Sequence, residues 1–107
     1  LFCYDGDTCY VIYEGKKDKV RLLDLDTPEI SNPKCENEYI LGIEAREYIN
    51  QLISEGKRIE FETEYNRDFF GRILSYIIVD GENVSKLMVS HSLGVLYDKN
   101  NKKDWCE

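Results

Sequence analysis

Basic residues are the scarce commodity in this chain: 14 lysines and arginines stand against 21 aspartates and glutamates, a net charge of −7 over 107 residues. That balance counts against a generic nucleic-acid binder, whose footprint is basic, and leaves only a local group of cations to meet a polyanion. Histidine is scarcer still. His91 is the one histidine, and with no metal ligand or nucleophile near it in sequence it reads as helix surface. No apolar run approaches the roughly 20 residues that span a bilayer, so no membrane segment is expected, and no signal-peptide pattern is present. The sequence opens on Leu1 rather than methionine, as a processed product or an excised piece does. With no repeat and no internal linker, a single domain over 1–107 is expected, large enough for one modest core.

The composition that remains is ordinary for a globular domain, 42% apolar and 33% charged. Cys3 and Cys9 fall at or near strands, where they read as small core residues. Cys35, in a polar loop, and Cys106, near the end, read as a disulfide tying down two mobile segments. Such a bond would point to a secreted or cell-envelope protein.

Asp5-Gly6-Asp7-Thr8 is a turn leading into a strand over Cys9–Tyr13. Glu14 to Lys19 is a solvated hairpin loop whose Lys16, Lys17 and Lys19 are positioned to help attract a polyanion. Between Val20 and Glu29 lies the stretch on which the rest depends. Val20, Leu22, Leu23 and Leu25 suit a strand, and Pro28, without an N–H for a ladder, ends it. Next comes a polar loop from Ile30 to about Leu41, of a length that marks a functional or mobile segment. Ala45, Tyr48, Ile49, Leu52 and Ile53 then form the apolar stripe of a helix ending near Gly56. Strands over 58–64 and 72–79 follow, the first with Glu60, Glu62 and Glu64 on a solvent face. Asp80-Gly81 is a turn, and a helix runs over 84–92 with Asn83 or Ser85 as its cap. Leu93–Tyr97 packs back on the barrel, and Trp105 anchors a charged tail. Short strands with a helix between the third and fourth predict a mainly β protein with helices (α+β), an OB-like five-stranded Greek-key barrel with two or three helices.

Arg21, Asp26 and Glu29 need a further explanation, because unpaired charge at a half-buried strand is costly. They must meet each other, a metal or an anion. Arg21 and Asp26 are five positions apart, which in a flat strand puts them on opposite faces. Their convergence therefore requires a bend or bulge.

Three motifs, Asp5-Gly6-Asp7-Thr8, Val20–Glu29 and Arg67-Asp68-Phe69-Phe70-Gly71-Arg72, occur in an order and spacing that resemble the staphylococcal-nuclease (thermonuclease) family. The resemblance runs through Asp80-Gly81 and the helix after it. It implies a calcium-dependent phosphodiesterase hydrolysing single-stranded or frayed DNA and RNA as a monomer. Carried over residue by residue, it makes Asp7, Asp26 and the carbonyl of Thr27 the ligands of one Ca²⁺, with Asp5 acting on the ion through water. Arg21 and Arg72 would fork onto the scissile phosphate, and Glu29 would orient and deprotonate the attacking water. Phe70 is a departure, standing where the family commonly has a tyrosine that touches a substrate phosphate. Asp24 and Ser92 depart too, where apolar or small residues and glycine are more usual. The first strand is shorter than usual, and the C-terminal helix of larger members is reduced or absent. Singly, each residue also has a plain structural reading: turn formers at Asp5 and Asp7, ion pairs of Arg21 with Asp26 and of Arg72 with Asp68, and loop surface at Glu29. The alternative function is a catalytically silent OB-like module that binds nucleic acid or protein. Such domains generally lack part of the acid–arginine set, which this chain keeps whole.

Overall fold

The computed structural model describes residues 1–106, the side chain of Tyr65 excepted. Eight elements follow in order: strands β1 (Phe2–Asp5), β2 (Thr8–Tyr13) and β3 (Lys16–Leu22), helix α1 (Glu36–Glu55), strands β4 (Ile59–Arg67), β5 (Ile73–Val79) and β6 (Glu82–Asn83), and helix α2 (Val84–Ser90). The sheet order is β1-β2-β3-β5-β4, with the short β6 beside β5. This is the strand order of an OB-like fold. β3 and β5 run parallel, with Arg21 opposite Leu74, and the other pairs are antiparallel. Turns at Glu14-Gly15 and Asp80-Gly81, all four residues at positive φ, match the right-handed twist of the hairpins they close.

Among the described residues no ladder joins β1 to β4, so the sheet is an open barrel. The free edge of β1 is covered by α1 instead. Asn50 acts as a surrogate strand: its side chain accepts from the N–H of Cys3 at 2.8 Å and donates to its carbonyl at 2.9 Å. Arg46 donates to the carbonyl of Tyr4 at 2.6 Å. Backbone groups that would otherwise template pairing with another chain are thereby satisfied. On β4, Glu60, Glu62 and Glu64 are exposed, and so are Ile59 and Phe61, because the open seam leaves both faces in water.

The core lies between the sheet and the two helices and is built on Leu22, Leu25, Ile49, Ile77, Val84 and Met88. Cys3 and Cys9 are buried within it, but they are not plain core thiols. They face each other across β1 and β2 and are joined as a disulfide. Period-two alternation marks both as inward-facing and gives no sign that the strands carrying them are neighbours.

Several element boundaries differ from the sequence expectation: the Glu14–Lys19 loop is only the Glu14-Gly15 turn, Lys16 to Lys19 belonging to β3, β4 runs on to Arg67, and α2 stops at Ser90. The central stretch stops being a strand at Leu22, and Leu23-Asp24 is a turn with Asp24 at φ 59°. The long loop is shorter than its composition suggests, since α1 begins at Glu36 with Cys35 as its N-cap. Its first turns expose Tyr39 and Ile40 and bury Glu38, so the periodic stripe that marks a helix is missing there.

Helix α2, capped by Asn83, ends in a Schellman motif: Ser92 N–H donates to Val89 and Leu93 N–H to Met88. Ser92 takes the left-handed position at φ 60°, where glycine is unstrained. Ser92→Gly should therefore raise stability by about 0.5–1 kcal/mol, read as a higher urea midpoint at unchanged slope. A midpoint that falls would mean the serine contributes something its backbone does not reveal.

Candidate active site

The cleft is assembled from four segments, each fixed by side chains bonding to backbone. In the Asp5–Thr8 turn, Asp5 Oδ1 accepts the N–H groups of Asp7 and Thr8 at 3.1 and 2.9 Å. Gly6 lets this turn press against Thr27, where a Cβ would stand only 2.7 Å from the threonine methyl. Thr27 answers by donating its N–H and its hydroxyl to Asp7 Oδ2, both at 3.1 Å. Asp7 is thus aimed by two segments twenty residues apart in sequence.

Arg21 leaves the end of β3 toward the same carboxylate, with Nη2 at 3.6 Å from Asp7 Oδ2. Its Nη1 donates to the carbonyl of Leu22 at 2.8 Å, and the Tyr97 ring lies 5.8 Å from the guanidinium carbon. The turn at Leu23-Asp24 resolves the problem of face. It ends the alternation between Arg21 and Asp26, and Asp26 then forms a two-bond bridge with Val95, both bonds 2.9 Å. Arg21 pairs with Asp7 rather than with Asp26.

Glu29 sits on a loop clamped by the first half of α1. Buried Glu38 accepts the N–H of Glu29 at 3.2 Å and that of Lys34 at 2.7 Å. Gly42 faces this loop, and a Cβ there would approach Ile30 to 2.8 Å and the carbonyls of Pro28 and Glu29 to 3.1 Å. Cys35 and Cys106 are joined as a disulfide, and Asn37 donates to the carbonyl of Trp105 at 3.0 Å. These contacts fix the tail that carries Lys102 to the cleft.

The fourth segment is the tight loop from Asp68 to Arg72. Asp68 Oδ1 accepts the N–H groups of Phe70 and Arg72 at 3.0 and 2.9 Å, while Oδ2 accepts Arg72 Nε at 2.7 Å. Arg72 Nη1 donates to the Thr8 hydroxyl at 3.2 Å, and that hydroxyl lies 3.2 Å from Asp7 Oδ1 as its donor. A continuous chain therefore runs from Asp68 through Arg72 and Thr8 to Asp7.

Asp5, Asp7, Arg21, Asp26, Glu29 and Arg72 all line one cleft of 630 Å³. Thr27 is buried behind its wall, holding Asp7. Crowded carboxylates shape the electrostatics. Burial, then the neighbouring Asp7, push Asp5 up to about 7. Burial raises Asp26, with Lys102 opposing and Asp7 adding. Burial and then Asp7 raise Glu29, with Lys102 again opposing. Asp68 goes the other way: burial works to raise it, but the hydrogen bonds from Arg72 hold it below the usual carboxylate range.

Such crowding suits a hard divalent cation, which oxygen donors prefer and whose charge would relieve the repulsion. Among the described residues no three acidic, histidine or cysteine side chains converge as a ready-made cage. Any ion here would rest on few protein donors and keep places for water and a phosphate oxygen. Chemically, the cleft offers two forked cations for a phosphate, carboxylates for a cation, and one carboxylate on a separate loop for a proton.

Several residues that build this site have no role in the sequence reading, or a different one. Thr8 and Asp68 orient Arg72, Glu38 holds the backbone of the Glu29 loop, and Tyr97 and Lys102 close the cleft from the tail. Asp68, four residues before Arg72 on a Gly-containing loop, was the one with a local signal, as an ion-pair partner. The others act across long separations that spacing does not encode.

Residues 19–106 match the family model described as staphylococcal nuclease homologue. The chain is 41% identical over 103 residues to Endonuclease YncB of Bacillus subtilis (strain 168), covering 92% of this chain and 48% of that protein. To the SPbeta prophage-derived endonuclease YokF of the same organism it is 38% identical over 103 residues, covering 92% of this chain and 34% of that protein. To the Thermonuclease of Staphylococcus hyicus it is 29% identical over 90 residues, covering 83% of this chain and 52% of that protein. The chain thus spans about half or less of the length of these curated relatives. Family match, strand order and motif geometry agree: the chain belongs to the staphylococcal nuclease homologue family.

Proposed function

We propose that this domain is a phosphodiesterase that hydrolyses DNA and RNA, with Ca²⁺ as its ion and single-stranded or frayed segments as its substrate. The observation that carries the reading is the convergence of Arg21 and Arg72 with Asp5, Asp7, Asp26 and Glu29 in one cleft, although these residues are scattered over 68 positions of sequence. A silent binding module has no need of a partly buried carboxylate beside two forked arginines.

Asp7, Asp26 and the Thr27 carbonyl would hold the ion, with Asp5 acting on it through water. When bound, the cation would polarise the phosphoryl oxygen and make a nearby water more acidic. Glu29, raised above its ordinary value by burial, accepts a proton from the attacking water as its oxygen bonds to phosphorus. Arg21 and Arg72 meet the charge that gathers on the equatorial oxygens while the opposite P–O bond breaks. The leaving oxygen takes its proton from solvent. Lone action as a monomer is part of the proposal, as is a secreted or cell-envelope location, which suits two disulfides in so small a domain.

Degradation of single-stranded DNA and RNA should appear with Ca²⁺ and stop with a chelator. Asp26→Ala should lose calcium binding by calorimetry and keep the circular-dichroism signature of the fold. Unchanged calcium affinity would remove Asp26 from the ligand set, and a wild type that binds strands in calcium without cutting them would favour the binding module.

A further inference from the structure

Beyond the cleft, a second surface has the chemistry of a nucleotide site. Lys17, Lys19 and Arg21 alternate along β3, and a strand rise of about 3.3 Å per residue spaces such positions about 6.6 Å apart, on the scale of one nucleotide. Tyr10 lies directly opposite Lys19 on β2. The ammonium of Lys17 is 4.9 Å and that of Lys19 5.8 Å from the centre of the Tyr10 ring. Among the described residues neither lysine is in an ion pair. Asp18, the one acid in this wall, is occupied by the fork of Arg67 at 3.0 and 2.9 Å. A locally cationic strip therefore survives on a chain of net charge −7.

Across the groove stands Phe70, 78% exposed, with Phe69 at 96% and the two rings edge to face at 5.4 Å. Single exposed apolar side chains are common on protein surfaces, but two adjacent aromatic rings at a loop tip beside a charged cleft are not explained by the core. The Arg72 guanidinium lies 5.5 Å from the Phe70 ring. Phe70 and Arg72 border three neighbouring hollows: the acid-lined cleft, one of 470 Å³ with Thr8, Tyr10 and Lys19, and one of 450 Å³ with Tyr10, Lys17 and Lys19. One path thus leads from the acids, over Arg72, to the Tyr10 face.

We propose that Tyr10, Lys17 and Lys19, with Phe70 opposite, form a subsite for nucleotides further along a single strand, beyond the two joined at the scissile phosphate. The lysines take backbone phosphates, leaving the Tyr10 ring free to stack on a base, and Phe70 offers the second stacking surface. Stacking needs unpaired bases, so this subsite favours single strands over duplex. The proposal rests on the nuclease reading of the cleft.

Two measurements separate the subsite from that reading. Cleavage of a dinucleotide phosphodiester in calcium reports the cleft alone. Anisotropy of a labelled single strand of about eight nucleotides, in chelator, reports the whole path. Tyr10→Leu should bind the longer strand about 5- to 150-fold more weakly, the loss expected for one stacked base, and cut the dinucleotide at the wild-type rate. Tyr10→Phe should bind as wild type. Lys17→Gln with Lys19→Gln should flatten the salt dependence by a slope of about 1.4. Should Tyr10→Leu fail to fold by circular dichroism, the lysine pair carries the same comparison. Wild-type affinity for the long strand in Tyr10→Leu, or in the lysine pair, overturns the subsite. A wild type inert toward the dinucleotide overturns the cleft reading, and the subsite with it.

Discussion

Glu29→Gln should cut single-stranded DNA about 10²–10⁴-fold more slowly than wild type, the loss expected when a general base is removed. The amide keeps the shape and the loop, since what Glu38 holds is the backbone N–H of Glu29 rather than its carboxylate. Calcium and substrate affinity should therefore change little. Burial and Asp7 raise the Glu29 carboxyl above its ordinary value, so its charged, proton-accepting form gains population as pH rises. The acidic limb of the pH–rate profile should follow that titration in wild type and vanish in Glu29→Gln. Single-turnover cleavage beside strand binding is the measurement. Full-rate cutting by the glutamine variant would mean another base.

Arg72→Lys should lose about 10²–10³-fold in turnover despite keeping its charge. The guanidinium does several things at once: Nε bonds Asp68, Nη1 bonds Thr8, and its plane remains shaped for a phosphate. A lysine ammonium is a single point and cannot hold Asp68 and Thr8 while presenting a planar fork. Stability should change far less, because the ion pair with Asp68 is partly solvated. If Arg72→Lys cuts at the wild-type rate, Arg72 is only a structural partner of Asp68.

Most of the individual strands, and the motifs that carry the acids and arginines, were legible because they depend on local patterns. Alternation gave β2 and β5, the Ala45–Ile53 stripe gave most of α1, and Asp80-Gly81 gave its turn. What the sequence hid is long-range. Nothing near Leu23 announces a turn; only the left-handed Asp24, the departure noted there, marks it, together with the hydrogen bond it receives from the Tyr76 hydroxyl. The start of α1 was missed because its first turns bury an acid and expose apolar residues, the reverse of the usual code. Glu38 is buried to bond the Glu29 loop, so a rule of local pattern yields at a place where the site is built. The Cys3–Cys9 bond was hidden for a related reason, since alternation reports a side chain's face and not its neighbour.

The bridge between Asp26 and Val95 carries a consequence for how the molecule comes into being. Asp26 reaches its place through a segment made some seventy residues later, and Cys35 waits for Cys106. A ribosome that has released the chain through Asp26 has delivered Asp7, Arg21 and Asp26 as sequence but not as a site. Translation must pass Val95 before the acids face one another, and pass Cys106 before the Glu29 loop is stapled. A partly made chain therefore carries these acids without the cleft that gathers them.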